Sequence, residues 1–187
     1  VTGVQTCALP ICDTWSGAES DQAFIDSVKK AGTVIMLADA TYEGAASAAQ
    51  PAPRDQGFHL DSPLVATRQT SFPPFAGLAA ASAGFGHNLF VLDDDGPLRH
   101  TVPFVRTGTT AMPSLGLAAA IKASGLDPSR VRTDAAHVML GDQSMPVQLR
   151  DVRTTDGTTT YQWSLINLDR KSTRLNSSHR CISYAVF

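Results

Sequence analysis

Asp93, Asp94 and Asp95 stand directly before Gly96, with Arg99 three residues beyond, and form the tightest run of carboxylates in the chain. Carboxylates at alternate positions ahead of a glycine are what a calcium loop uses, because their oxygens converge on one ion. Here Val91 occupies the earlier ligand position and no glutamate closes the loop, so too few oxygens are supplied. The run reads as a solvated turn, and no metal is expected. Asp93, Asp95 and Arg99 are the candidate ligand-binding residues.

Other chemistry-bearing patterns fail on context. Ala80–Gly84 is one residue short of a nucleophile elbow, and Ser82 falls near the end of a helical pattern instead of on a strand-to-helix turn. Gly84-Phe85-Gly86 starts like a dinucleotide fingerprint, but Leu89 replaces its third glycine and a strand pattern follows. His59, His87, His100 and His137 are isolated, without the i, i+4 spacing of a zinc protease. His87 and His100 are placed to face one another across a hairpin, a conceivable pH-sensitive pair. No catalytic residue is assigned and no cofactor is expected.

The elements that must position these residues follow from periodicity. Phe85–Leu92 and Leu98–Val105 alternate apolar and polar residues on either side of Asp95-Gly96, which predicts a β-hairpin at 85–105. Upstream, a helix is expected from Ser20 to about Ala31 with Phe24, Ile25 and Val28 on its apolar face, then a buried strand at Thr33–Ala38. Thr41–Pro74 lacks a period and reads as a long surface loop or lid. An alanine-rich helix at about Phe75–Ala83 precedes the hairpin. A second, from Ser114 to Ser124, is stopped by Gly125. Strands are expected at Ala135–Leu140, at Met145–Leu149 and from Thr159. The fold class expected is α/β: a mixed, largely parallel sheet flanked by helices, in an incomplete domain.

The ends need separate treatment. Val1–Ile11 and Asp169–Phe187 show no hydrophobic periodicity and resemble translated sequencing-adapter DNA. The adapter codons spell Asp-Arg-Lys-Ser at 169–172 and Ile-Ser-Tyr-Ala-Val-Phe at 182–187. Residues 1–12 and 169–187 are therefore set aside as adapter-derived, leaving 13–168 as the folding unit. All three cysteines (Cys7, Cys12 and Cys181) lie in the segments set aside, so cysteine spacing says nothing of disulfides or zinc. The C-terminal segment also carries Arg170, Lys171, Arg174 and Arg180 against Asp169, which makes 13–168 more acidic than the whole chain's net charge of −2. An acidic domain without basic clusters is not a nucleic-acid binder.

Several features in order carry a family resemblance: Asp21 leading a helix and an apolar strand to Leu37, then Phe72–Ala83, then Gly86-His87-Asn88-Leu89. After them come Asp93–Arg99 as D-x-D-G-x-x-R, Pro103-Phe104, Met112-Pro113-Ser114-Leu115 before an alanine helix, and Leu165-Ile166-Asn167 after Tyr161. This order resembles the type-2 CHASE domain, an extracytoplasmic sensory domain of bacterial signalling receptors. His100 stands where that family often has a second basic residue. The family's opening βαβ unit, its last strand and helix, and the membrane spans that follow are not in this sequence, so the resemblance implies a partial domain at 13–168. It implies no catalysis in the sensor itself. Its partners would be an unidentified small molecule or physical signal, and no nucleic acid. The parent would be an inner-membrane receptor with this part periplasmic or extracellular, a cyclase or histidine-kinase output, and dimerisation left open. The alternative is a piece of a soluble, hydrolase-like α/β enzyme whose catalytic residues lie elsewhere.

Overall fold

The computed structural model describes residues 17–40, 55–68, 71–93, 95–96, 98–154 and 157–165. The segments read as adapter-derived lie outside them.

The first helix, α1 (Gly17–Ala31), starts earlier than its Ser20 signal and stops at Gly32, whose N–H closes on the Val28 carbonyl at 3.1 Å. Val28 is buried, whereas Phe24, expected on the inner face, is 43% exposed. Strand β1 (Ile35–Ala38) follows, then the two-residue β2 (Ala66–Thr67). Where a surface loop is expected, Phe58, Leu60, Val65 and Ala66 are all buried. The described part of that segment contributes these side chains to the core and, apart from β2, has no regular structure. Helix α2 (Ala76–Ala81) is a turn and a half, and β3 (Gly84–His87) is buried at every position.

After β3 the chain departs from the expected hairpin. Residues 88–93 form no strand, and Phe90 and Leu92 are about half exposed (52% and 51%). β3 pairs with β1, in parallel, and not with the segment after Gly96. That later segment holds β4 (His100–Thr101) and β5 (Phe104–Thr107), and β5 makes its hairpin forward, with β6 (Thr110–Pro113), around Gly108-Thr109. The expected hairpin at 85–105 does not form: β3 is buried at every position, and strand periodicity specifies a face and not a neighbour.

Helix α3 (Leu115–Ser124) ends at Gly125 as its sequence requires. Asp127 caps the short 3₁₀ turn at Pro128–Arg130, accepting from the Ser129 N–H at 2.9 Å. Four further strands follow among the described residues: β7 (Val131–Thr133), β8 (His137–Leu140), β9 (Gln143–Pro146) and β10 (Gln148–Thr154). A fifth, β11 (Gly157–Leu165), is the longest.

Among the described residues the strands make four small sheets: β1–β3, β2–β5–β6, β7–β8–β9 and β10–β11–β4. Only β1–β3 and β2–β5 are parallel pairs; the others are antiparallel. The expected α/β architecture, a largely parallel sheet flanked by helices, is therefore incorrect. Short strands joined by tight turns close locally into antiparallel hairpins; α1 packs mainly on α2, and α3 lies against β1 and β3 of one small sheet and β6 of another.

Two apolar clusters meet at β5. Val105 packs with Phe85, Val102, Met112 and Tyr161, while Phe104, one residue away on the opposite face, packs with Phe58, Ile121, Val131 and Val138. Successive strand residues point to opposite faces, so this one central strand serves both clusters. β11 is buried on both faces at Tyr161–Ser164. Its Gln162 amide donates to Thr133 Oγ1 (2.7 Å) and the Asp134 carbonyl (2.5 Å), tying β11 to the β7–β8–β9 sheet.

Candidate functional site

The Asp-rich run folds as a closed turn. The Gly96 N–H donates to the Asp93 carbonyl at 2.8 Å, and Gly96 holds φ +95°, a conformation that a side chain would strain. Asp94 lies outside the described residues. Arg99 forks onto Asp95 through two bonds of 2.8 and 2.7 Å, a bidentate pair on an exposed surface. The hydrogen bonds from Arg99 hold the Asp95 carboxyl below its usual range, and Asp95 in turn raises Arg99.

Asp93 is different. Its side chain is only 9% exposed and both oxygens are engaged. Oδ2 accepts the Arg99 N–H at 2.9 Å, and Oδ1 lies 2.7 Å from His100 Nδ1. Arg150, from β10, brings Nη1 to 3.9 Å of Oδ1. The Arg150 guanidinium also lies over the Trp163 ring, 3.9 Å from its centroid, and the His100 ring packs on the same indole at 4.1 Å. A turn, a two-residue strand and both strands of the β10–β11 pair thus converge on one shielded carboxylate. Trp163 is 8% exposed.

The structure therefore brings together the three residues singled out from sequence, and ranks them. Asp95 and Arg99 neutralise one another in solvent. Asp93 is the hub, joined by His100, Arg150 and Trp163, which sequence reasoning did not connect to it. Arg150 and Trp163 lie dozens of residues downstream, and no spacing signal links them to Asp93. A carboxylate with both oxygens engaged makes a weak general base and a weak cation ligand; what it does well is hold chain segments together. Among the described residues no group of His, Cys, Asp and Glu could hold a metal ion.

This ranking has a measurable consequence. Asp93→Asn is expected to cost about 1–2 kcal/mol of folding stability, the usual penalty for weakening a shielded, charge-assisted hydrogen-bond set. Asp95→Asn breaks only an exposed pair and should leave the urea midpoint unchanged. Equal shifts for the two variants would show that the hub is not Asp93.

The proposed His87–His100 pair does not form. His87 belongs to β3 and is 1% exposed, with Nδ1 accepting the Leu89 N–H at 3.1 Å, whereas His100 packs on Trp163. Nearby, buried Arg68 donates to Tyr161 Oη at 2.5 Å and sits 5.4 Å from that ring's centroid. Ser82 is buried and its hydroxyl donates to the Ala79 carbonyl at 2.9 Å, a helix-end bond that leaves it no nucleophile geometry. A cleft of about 420 Å³ lies elsewhere, between α3 and residues 55–58. Of its polar side chains, Gln56 bonds both ways with the Phe85 backbone (2.7 and 3.2 Å) and Asp55 accepts the Gly57 N–H at 2.7 Å; Lys122 also lines it.

Comparison of the chain with protein-family models, with curated proteins and with solved structures finds no match.

Proposed function

We propose that this chain is the sensing part of an extracytoplasmic input module of a bacterial transmembrane receptor, as its resemblance to the type-2 CHASE domain implies, and that it has no catalytic role itself. The observation that carries the reading is the Asp93 junction. The D-x-D-G-x-x-R stretch of the resemblance coincides with a place where a turn is fastened to a distant strand pair by charges. β4 adds only a two-residue pairing to β11 (Ser164 with Thr101, Leu165 with His100). A segment held this way shifts between arrangements for a few kcal/mol, the scale on which a bound signal biases a conformational equilibrium. An unidentified small molecule or a physical cue would act by competing for, or reinforcing, the Asp93–His100–Arg150 contacts. No observation on the described residues favours the alternative, a piece of a soluble α/β enzyme.

The test is the gene at the source locus. Downstream of the codon for Leu168 it should encode apolar membrane spans and then a cyclase or histidine-kinase module, and Asp93→Asn in that receptor should change its basal output. A soluble catalytic module with no span between would overturn the reading.

A further inference from the structure

Strand β10 lies at the end of its sheet, and among the described residues nothing pairs with its outer side between Leu149 and Arg153. The direction of its backbone groups follows from β11. The Gln162 N–H leaves β11 toward the Leu64 carbonyl at 3.1 Å, away from β10. Even-numbered residues of β11 therefore face away, and odd-numbered ones face β10. Since Tyr161 pairs with Arg150 and Thr159 with Val152, those β10 residues bond inward. Leu149, Asp151 and Arg153 consequently turn their N–H and C=O groups outward, as an open template for another strand.

Charged side chains on an edge usually block such pairing. Here their order does the opposite for one partner. A two-fold axis normal to the sheet must pass through a residue, because it keeps each side chain on its own face. Placed at Val152, it sets Val152 against its own copy as a close, non-hydrogen-bonded pair. It then sets Asp151 against Arg153 of the second copy, twice, as hydrogen-bonded pairs on one face. Asp151 has only Oδ1 occupied, by Thr160 Oγ1 at 2.7 Å, and no carboxylate among the described residues pairs with Arg153. The same axis at Asp151 or at Arg150 would oppose like charges. Of the axes from Arg150 to Arg153, the charge pattern thus permits only the one at Val152.

We propose that β10 is a homodimer edge. Two copies join antiparallel about Val152 with reciprocal Asp151–Arg153 pairs and make a continuous six-stranded sheet. This inference stands independently of the sensory reading. A single strand edge is a small interface, so the dimer is expected to form in the micromolar to millimolar range.

Sedimentation equilibrium of the full chain across that range should show monomer and dimer. Asp151→Arg or Arg153→Glu alone should weaken association at least tenfold, and the exchanged pair Asp151→Arg with Arg153→Glu should restore it. Circular dichroism should confirm that each variant is folded. Amide exchange supplies a second readout: protection at 151 and 153 should rise with protein concentration, while 150 and 152 stay protected throughout. A chain that is monomeric at every concentration overturns the proposal. So does a dimer indifferent to the single reversals, or one with no concentration-dependent protection at 151 and 153.

Discussion

Gly86→Ala is expected to cost about 3 kcal/mol, more than any other glycine-to-alanine change among the described residues. A Cβ at Gly86 would lie 2.4 Å from Leu115 Cα, 2.8 Å from Leu115 N and 3.1 Å from Ser114 C. All three are backbone atoms at the start of α3, so no side-chain rotation relieves the clash. The strand would have to withdraw from the helix, and the backbone bridge between His87 and Ser114 would be lost with it. Two companions calibrate the effect. A Cβ at Gly84 meets Gln56 Oε1 at 2.9 Å, the tip of a side chain that can turn, so Gly84→Ala should cost only about 1 kcal/mol. Gly116 lies in α3 with open space around it, and Gly116→Ala should gain about 0.5 kcal/mol by restricting the unfolded chain. Urea unfolding of the three variants gives the order directly. If Gly86→Ala unfolds within about 1 kcal/mol of wild type, β3 does not lie against the α3 backbone.

The same glycine shows where sequence reading stops. Gly84-Phe85-Gly86 was legible as unusual, and rejecting a dinucleotide site there removed only one explanation. The operative one, close approach of strand to helix backbone, needs a partner more than two dozen residues away. Signals confined to a few neighbouring residues were read well. Gly125 ends α3, the stop expected for it from sequence. Met145–Leu149, expected as one strand, is split: β9 ends at Pro146 and β10 starts at Gln148, and a proline inside an apparent strand is a demoting signal.

Pairing was the part that could not be read. The 85–105 alternation fitted a hairpin as well as it fitted β3 and β5 serving different sheets, and burial decided between them only in three dimensions. The candidate site divides along the same line. Asp93, Asp95 and Arg99 were visible because they are close in sequence, while Arg150 and Trp163 reach Asp93 through the β10–β11 ladder. A non-local ion pair has no sequence period.

Acidification from pH 7 to pH 5 is expected to remove about 2 kcal/mol of stability through His87 alone, and about 3 kcal/mol by pH 4. Burial, at 1% exposure, is the main cause: it pushes the imidazole pKa from 6.5 down to about 3, against the Pro103 carbonyl and with help from the Arg68 charge. Nδ1 accepts the Leu89 N–H, so the ring is neutral with its proton on Nε2, which has no hydrogen-bond partner among the described residues. Between about pH 6.5 and 3 the unfolded chain takes up a proton that the folded chain refuses. Stability from this source is therefore complete above pH 6.5 and falls as pH drops toward 3. Asp95, Asp127 and Asp134 are held below the usual carboxylate range by their hydrogen bonds, so their contributions are lost at lower pH and leave the pH 7-to-5 window to histidine. His87→Asn keeps an oxygen where Nδ1 stands, still able to accept from Leu89, but cannot titrate. The difference in unfolding free energy between pH 7 and pH 5 should shrink by about 2 kcal/mol in this variant, even though its smaller side chain lowers stability at both. An unchanged difference would mean that the ring is solvated in the folded state, contrary to its place beneath Ser114 and Leu89.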